Sequence, residues 1–358
     1  MQSEPGGFVF SGLYDPGDVN AAPLKVTRTQ ILAFRQRVGA LDERLPAGRR
    51  SLQRAAWAGL QDSMPRAALL SIHARVAGAV PTAWADPSLV QVWGPRYQVY
   101  VVAAPDLAVF TLGRLPETGK TRQKAEDLAE RLHVFLGGER MRYDDAGQAL
   151  GVHGNTLRYA ALTGRLAIRW EGARRPTVWT VPPPKITPAE ATLELARRHL
   201  HVFGPARPEA FGKWAGIGTQ AAVRAFDDLG IELVAVRTPS GDAFMLARDE
   251  PTIREPPATA AAARLLPSGD AYTLHGTSEE RALLVPDPKR RSELWTPRVW
   301  PGALLMAGEI VGTWRRVQRT VTIQSWQRLS RAAREAVVAE AESLPLPDPG
   351  GPTVVDWI

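Results

Sequence analysis

Apolar positions recur at helical spacing through the middle of the chain, and the pattern is broken three times in the same way. "WAGLQDSMPRAALL" (57–70), "ALGVHGNTLRYAALTGRL" (149–166) and "WAGIGTQAAVRAFDDLG" (214–230) each predict a short apolar helix, a glycine, one apolar residue, a polar turn and a second amphipathic helix. The glycines (Gly59, Gly151, Gly216) suit the positive φ of a sharp helix end, and Leu60, Val152 and Ile217 suit the angle between two helices. Ser63, Asn155 or Thr156, and Thr219 are candidate N-caps for the second helix of each unit. The spacing therefore predicts three helix-turn-helix units. After the second unit comes "AIRWEGARRPTVWTV", and after the third "IELVAVRTPSGDAFMLA". Each predicts two strands around a turn, so the units are expected to be winged helices.

The C-terminal part follows a different pattern. "ALLMAGEIVGTWRRVQRTVTIQSW" (303–326) has β-branched residues and turns at "AGE" and "VQR", and "TVTIQSW" within it alternates with period two. With "YTLHG" and "RALLVPD" upstream it predicts a small antiparallel sheet or barrel, closed by the helix "SRAAREAVVAEAESL". Proline- and alanine-rich breaks at "VPPPK" (181–185), "REPPATAAAA" (254–263) and "LPLPDPGGP" (344–352) separate the parts. The expected fold class is α+β. It comprises a flexible segment 1–24, a first winged-helix-type module 25–118, a second 119–184, a third 185–255, a C-terminal β-barrel with closing helix 256–343, and a tail 344–358.

Charge and composition narrow the function. The net charge is +7 and arginine greatly outnumbers lysine. A planar guanidinium suits phosphates and guanine edges, which favours nucleic acid over lipid, although a biased codon supply also produces this balance. The absence of cysteine excludes disulfides, thiolate nucleophiles and cysteine-based metal sites. No apolar run is long enough for a membrane span, and "MQSEPGGFVF" lacks the layout of a secretion signal, so a cytoplasmic, nucleoid-associated protein is expected. "GRLPETGKT" (113–121) has the wrong glycine-to-lysine spacing for a phosphate loop. His199 and His201 stand two apart, face away from each other on a helix, and are expected on its surface. His73 has apolar neighbours and is expected to be structural. No metal and no cofactor is expected.

The chain resembles the winged-helix DNA glycosylases related to AlkZ and YcaQ, roughly from Val26 to Ser343. The resemblance is carried by "ILAFRQRVGALDERL", "GLQDSMPRAALLSIHARV", "LVQVWGPRYQVYVVAAPDLAVFTLGRLP", "HVFGPARPEAFGKWAGI" and "AGEIVGTWR", in that order. It implies tandem winged helices and a C-terminal β-barrel around a basic channel for double-stranded DNA, and hydrolysis of the N-glycosidic bond of alkylated bases. It also implies a Gln-x-Gln or Gln-x-Asp motif. Gln61 matches the first glutamine, Ser63 stands at the second polar position, and Asp62 lies between them.

Two roles remain open for this trio. In one, Asp62 or Ser63 caps a helix beginning at Pro65, and such caps contribute roughly 1 kcal/mol. Alternatively Gln61 orients water at the anomeric carbon while Asp62 supplies a negative field to an oxocarbenium-like sugar. For DNA contact the candidates are Arg96 in "WGPRYQVYVV", the wing-tip Arg174 and Arg175, Arg290 and Arg291 before the last strands, and Arg315 and Arg316 near a strand turn. Solvated loop charge is the other reading of the last four. Trp93 is expected to pack. The chain is expected to grip DNA as a monomer, without a nucleotide cofactor. The alternative to a glycosylase is a non-catalytic, regulatory winged-helix DNA-binding protein.

Overall fold

The computed structural model describes residues 22–64, 66–172, 174–257, 263–345 and 351–358. The first segment runs β1 (Leu24–Lys25), α1 (Arg28–Val38), α2 (Arg49–Ala55), β2 (Leu60–Gln61), α3 (Ala67–Arg75), β3 (Leu89–Trp93), β4 (Val99–Ala103) and α4 (Leu107–Thr111). A capping box between Thr27 and Gln30 starts α1, satisfying amides that a helix start leaves open. The stretch 57–70 is not a helix-turn-helix, because a short strand, β2, stands between α2 and α3. Gly59 has φ +72°, as expected, and there is also no room for a side chain. A Cβ there would lie 2.8 Å from the Phe110 ring and 2.9 Å from the Tyr100 ring.

The second segment contains α5 (Lys120–Leu136), β5 (Met141–Arg142), α6 (Tyr143–Ala149), a 3-10 helix Gly154–Thr163, β6 (Leu166–Arg169) and β7 (Thr177–Thr180). Neither Asn155 nor Thr156 caps the 3-10 helix; the His153 ring accepts from the Asn155 amide instead. Both segments feed one six-stranded sheet, ordered β2-β4-β3-β6-β7-β5. The seam between them is the pair Gln91 and Ile168.

The third segment holds α7 (Pro188–Phe203), α8 (Pro208–Ala215), α9 (Thr219–Leu229), β8 (Leu233–Thr238), β9 (Gly241–Leu246) and α10 (Glu250–Arg254). Gly216 ends α8 at φ +73°, and the cap of α9 is Gly218 rather than Thr219. β1 pairs in parallel with β8, so Leu24 belongs to this sheet and not to a flexible start; residues 1–21 lie outside the described residues. One large core joins Val92, Tyr100 and Val102 of the first segment to Leu195, Phe203, Phe211 and Trp214 of the third. His199 belongs with these rings and not on the surface: it is 2% exposed and lies 5.0 Å from Phe203 and 5.1 Å from Trp214. Burial pushes its pKa down to about 3, which keeps the imidazole neutral. His73 is buried between Arg44 and Ser343, as expected of a structural histidine.

The C-terminal segment contains β10 (Arg264–Leu266), α11 (Ser278–Leu284), α12 (Pro288–Leu294), β11 (Gly302–Met306), β12 (Glu309–Val317), β13 (Thr320–Ser325), α13 (Arg331–Glu342) and β14 (Val354–Trp357). The β-branched run forms β11 to β13, with β13 alternating as its period predicts, but the barrel does not close. The sheet is open, ordered β10-β11-β12-β13-β14, and its last pair is parallel. "RALLVPD" turns out helical over 281–284, because a Thr277–Glu280 capping box starts α11 just before it. "YTLHG" begins in a 3-10 turn, Ala271–Thr273. The end of the tail is not loose either: β14 covers the outer edge of β13, a position where unpaired backbone groups need a partner. No helix among the described residues is long and apolar enough to cross a membrane.

Candidate active site

β2 lies at one edge of the six-stranded sheet, with Gln61 opposite Tyr100 of β4. The Asp62 amide continues the ladder, donating to the Val99 carbonyl at 2.8 Å. Side chains alternate along such a strand, so Leu60 and Asp62 turn toward α3 while Gln61 and Ser63 turn away from it.

Asp62 is 1% exposed and both carboxylate oxygens are engaged. Oδ1 accepts from the Ala68 amide at 3.1 Å, and Oδ2 accepts from Gln91 Nε2 at 2.8 Å. Ala68 is the second residue of α3, so Asp62 caps that helix from six residues upstream. The N-cap position itself is Arg66, in the left-handed region at φ +66°, with no side-chain cap bond. Ser63 is not the cap, and Pro65 lies outside the described residues. Gln91 carries the connection onward: its Oε1 accepts from the Trp170 amide at 2.7 Å and its Nε2 also donates to the Trp170 carbonyl at 3.2 Å. Burial pushes the Asp62 pKa up to about 6. The Ala68 and Gln91 bonds oppose that rise, as do the charges of Arg66 and Arg169. Those two guanidinium groups lie over the Trp84 ring, 4.2 and 4.1 Å from its centre.

Gln61 faces the loop that follows β10. Its Oε1 is buried and has no hydrogen-bonding partner among the described residues. Gly269, at φ +75°, makes room for it: a Cβ at 269 would stand 3.2 Å from Oε1. Asp270 holds this loop in place. It accepts from Arg75 Nη1 at 2.7 Å and Nη2 at 2.8 Å, from Ser71 Oγ at 2.6 Å and from the Tyr272 amide at 2.9 Å. Burial alone would raise the pKa of this carboxyl, but the Arg75 pair and the two other donors outweigh it and hold it below the ordinary value.

Ser63 donates its hydroxyl to Gln98 Oε1 at 2.7 Å, across to the start of β4. Both residues line a cavity of about 380 Å³, together with Tyr97, Trp170, Arg158 and Arg174. Arg175 lies at its rim and is paired with Asp144. Arg96 is exposed at the tip of the β3–β4 turn, at φ +55°. That turn is anchored by Arg114, whose Nε donates to the Ala215 carbonyl at 2.7 Å and whose Nη1 donates to the Gly94 carbonyl. Trp93 is buried in the second segment's core, as expected of a packing residue.

The remaining arginines stand apart from this cavity. Arg290 is half-buried, donates to the Trp326 carbonyl at 3.1 Å and pairs with Asp287 and Glu293; Arg291 donates to the Val285 and Pro286 carbonyls. Arg315 and Arg316 are exposed at the end of β12, near the hairpin with β13. Among the described residues no group of three His, Asp or Glu side chains is placed to hold a metal ion.

The model of the family described as "DNA glycosylase AlkZ-like" matches residues 52–345. The chain belongs to the AlkZ-like DNA glycosylase family. The match includes Gln61, the loop at Gly269 and the cavity beside Ser63. The chain is also similar to the interstrand DNA cross-link repair glycosylase of Streptomyces sahachiroi, at 22% identity over 298 residues, covering 72% of this chain and 78% of that protein. The solved structure of the Streptomyces sahachiroi DNA glycosylase AlkZ has the same fold at 20% identity, with a TM-score of 0.75 over 94% of this chain and 100% of that one.

Sequence reasoning named Gln61 and Ser63 as candidate catalytic residues and Arg174 and Arg175 separately as wing-tip contacts, but it missed Gln91, Gln98, Arg158 and Gly269. Gln91 sits within a run of apolar strand residues, where a lone polar residue was the available signal. Gly269 carried a weak signal, as part of the turn-like "PSGD".

Proposed function

We propose that this chain is a DNA glycosylase that hydrolyses the N-glycosidic bond of alkylated bases in duplex DNA. Family membership supports the reaction class, and the relative from Streptomyces sahachiroi is named for cross-link repair. The observation that carries the reading is the buried, unpartnered Oε1 of Gln61. A buried acceptor needs a donor; when the amide turns out of its closed seat beside Gly269, it accepts from a water whose lone pair is free to attack. An N3- or N7-alkylated purine already carries positive charge, so no strong acid is required. The C1′–N bond breaks and its electron pair neutralises the base; the water oxygen bonds to C1′ and releases a proton. Asp62 does not touch the substrate in this scheme. It acts as a positioning residue, holding β2 to α3 and, through Gln91, fixing the backbone of Trp170.

Duplex DNA is gripped by the helices and hairpins of 119–184 and 185–255 acting as winged helices. Arg96, Arg174, Arg175, Arg315 and Arg316 then contact phosphates, and the protein acts as a monomer at the nucleoid. Release of N7-methylguanine from a duplex by purified protein tests the activity. Wild type is expected to leave abasic sites, while Gln61→Ala loses roughly 10²-fold or more in single-turnover rate and keeps its DNA affinity. A second reading, a DNA-binding protein without catalysis, is favoured by Asp62 and Ser63 both being hydrogen-bonded within the protein. Wild type that binds duplex DNA but releases no base from several alkylated substrates decides for that reading.

A further inference from the structure

We propose that the cavity beside Ser63 receives a whole nucleotide swung out of the DNA duplex, and that Gln98 reads the edge of its base. The proposal rests on the reading that this protein acts on DNA, and it names where the target nucleotide goes. Three kinds of group meet in the cavity. Tyr97 and Trp170 are half-buried aromatic rings on its wall, which suit a planar heterocycle. Arg158 and Arg174 have no carboxylate partner among the described residues, in contrast to Arg175, and suit a phosphate. Gln98 contributes an amide whose oxygen is occupied by Ser63, so its Nε2 is the group left to donate. A ligand that is planar, anionic and rich in acceptors along one edge is a nucleotide. The cavity, about 380 Å³, falls within the range of small-ligand sites, roughly 300–1,000 Å³.

Its position fits the same use. Ser63 lies two residues from Gln61, and Trp170 is held by the Asp62–Gln91 chain, so the wall of the cavity is built from the segment that carries the candidate water-binding amide. An enzyme that works on a base takes it out of the stack and reads it by stacking and edge hydrogen bonds. Ser63 has a defined part in this scheme: its hydroxyl turns Gln98 so that the donor end of the amide faces the cavity.

The chain has no cysteine, so Gln98→Cys introduces a single thiol. A duplex carrying a thiol-tethered base at the lesion position is expected to form a disulfide with it at least roughly tenfold faster than a duplex tethered one position away. Arg331→Cys, on an exposed helix start, is expected to show no such preference. In parallel, Gln98→Ala, Gln98→Glu and Arg158→Ala are expected to slow release of N7-methylguanine by roughly 10- to 100-fold with unchanged melting temperature. Gln98→Glu keeps the acceptor for Ser63 but replaces the donor with a negative charge, so agreement between Gln98→Glu and the neutral Gln98→Ala assigns the loss to the missing donor.

Wild-type rates in the Gln98 variants, with no positional preference in crosslinking, overturn the proposal and leave the glycosylase reading intact. Crosslinking to a free tethered mononucleotide but not to the duplex overturns it in favour of a free-nucleotide site. Position-selective crosslinking without base release by wild type supports the pocket while the glycosylase reading falls.

Discussion

Asp62 is a carboxyl group enclosed by protein, accepting two hydrogen bonds, with two guanidinium groups acting from a distance. Burial outweighs those stabilising influences and its pKa rises to about 6. The folded chain therefore holds a proton that the unfolded chain has already lost between about pH 4 and 6. The stability that this group contributes is complete below pH 4 and is lost as pH rises through 6. Denaturation of wild type and Asp62→Asn across pH 4–7 is expected to show the difference in stability shifting by up to about 3 kcal/mol in that direction. A flat difference would mean that Asp62 titrates normally. At Gly269 two constraints coincide, positive φ and closeness to Gln61 Oε1. Gly269→Ala is expected to cost about 1 kcal/mol or more of stability and to depress base release by displacing the amide, with DNA affinity kept. Equal activity in that variant would separate the Gly269 loop from the chemistry.

Among the elements, α3 connects the two halves of the candidate site. Its first turn is capped by Asp62, and one turn apart Ser71 and Arg75 reach across to Asp270 in the loop that lies over Gln61. Removing one partner of a buried ion pair leaves the other charge without compensation. Arg75→Met is expected to destabilise the protein by roughly 3–5 kcal/mol, and Arg75→Met with Asp270→Leu by much less. Thermal melts of the two variants check this. A smaller loss in the single variant than in the double would show that the pair does not hold the loop. The helix-turn-helix pattern at 57–70 failed at this level for a physical reason. β4 offers an open sheet edge, and two residues of pairing with it extend the chain between α2 and α3. At 214–230 no strand forms between the helices, and the helix–glycine–helix order appears as its spacing predicts.

At the scale of the whole molecule, the net charge of +7 is distributed unevenly in use. Arg75, Arg114 and Arg198 are buried and spend their donors within the protein, and Arg290 is half-buried and does the same. Arg96, Arg174, Arg315 and Arg316 are exposed. Binding of duplex DNA is therefore expected to weaken with salt, and Arg96→Ala or Arg174→Ala to reduce the slope of log K against log salt by about 1 each. Arg290→Ala is expected to lower stability and leave the slope unchanged. Titrations at several salt concentrations distinguish these outcomes, and an unchanged slope in the Arg96 and Arg174 variants would remove them from the phosphate contacts.

Local chemistry settled the features that the sequence by itself determined. The positive-φ glycines at 59, 151 and 216 follow from what only glycine adopts freely, and the last hairpin strand, Thr320–Ser325, follows from its alternation. Family membership was legible because Gln61, "WGPRY" and "AGEIVGTWR" keep order and spacing along the chain. Partners distant in sequence were decided by the tertiary structure. The sheet shared by the first and second segments, the parallel strands at each end of the chain and the open C-terminal sheet depend on which edge meets which. So do the pairing of Ser63 with Gln98, the Asp62–Gln91–Trp170 chain and the seat of Gln61 against Gly269. A hydrogen bond across 29 or 79 residues leaves no period in the sequence, because period records only which face of a helix or strand is buried and not what lies opposite it.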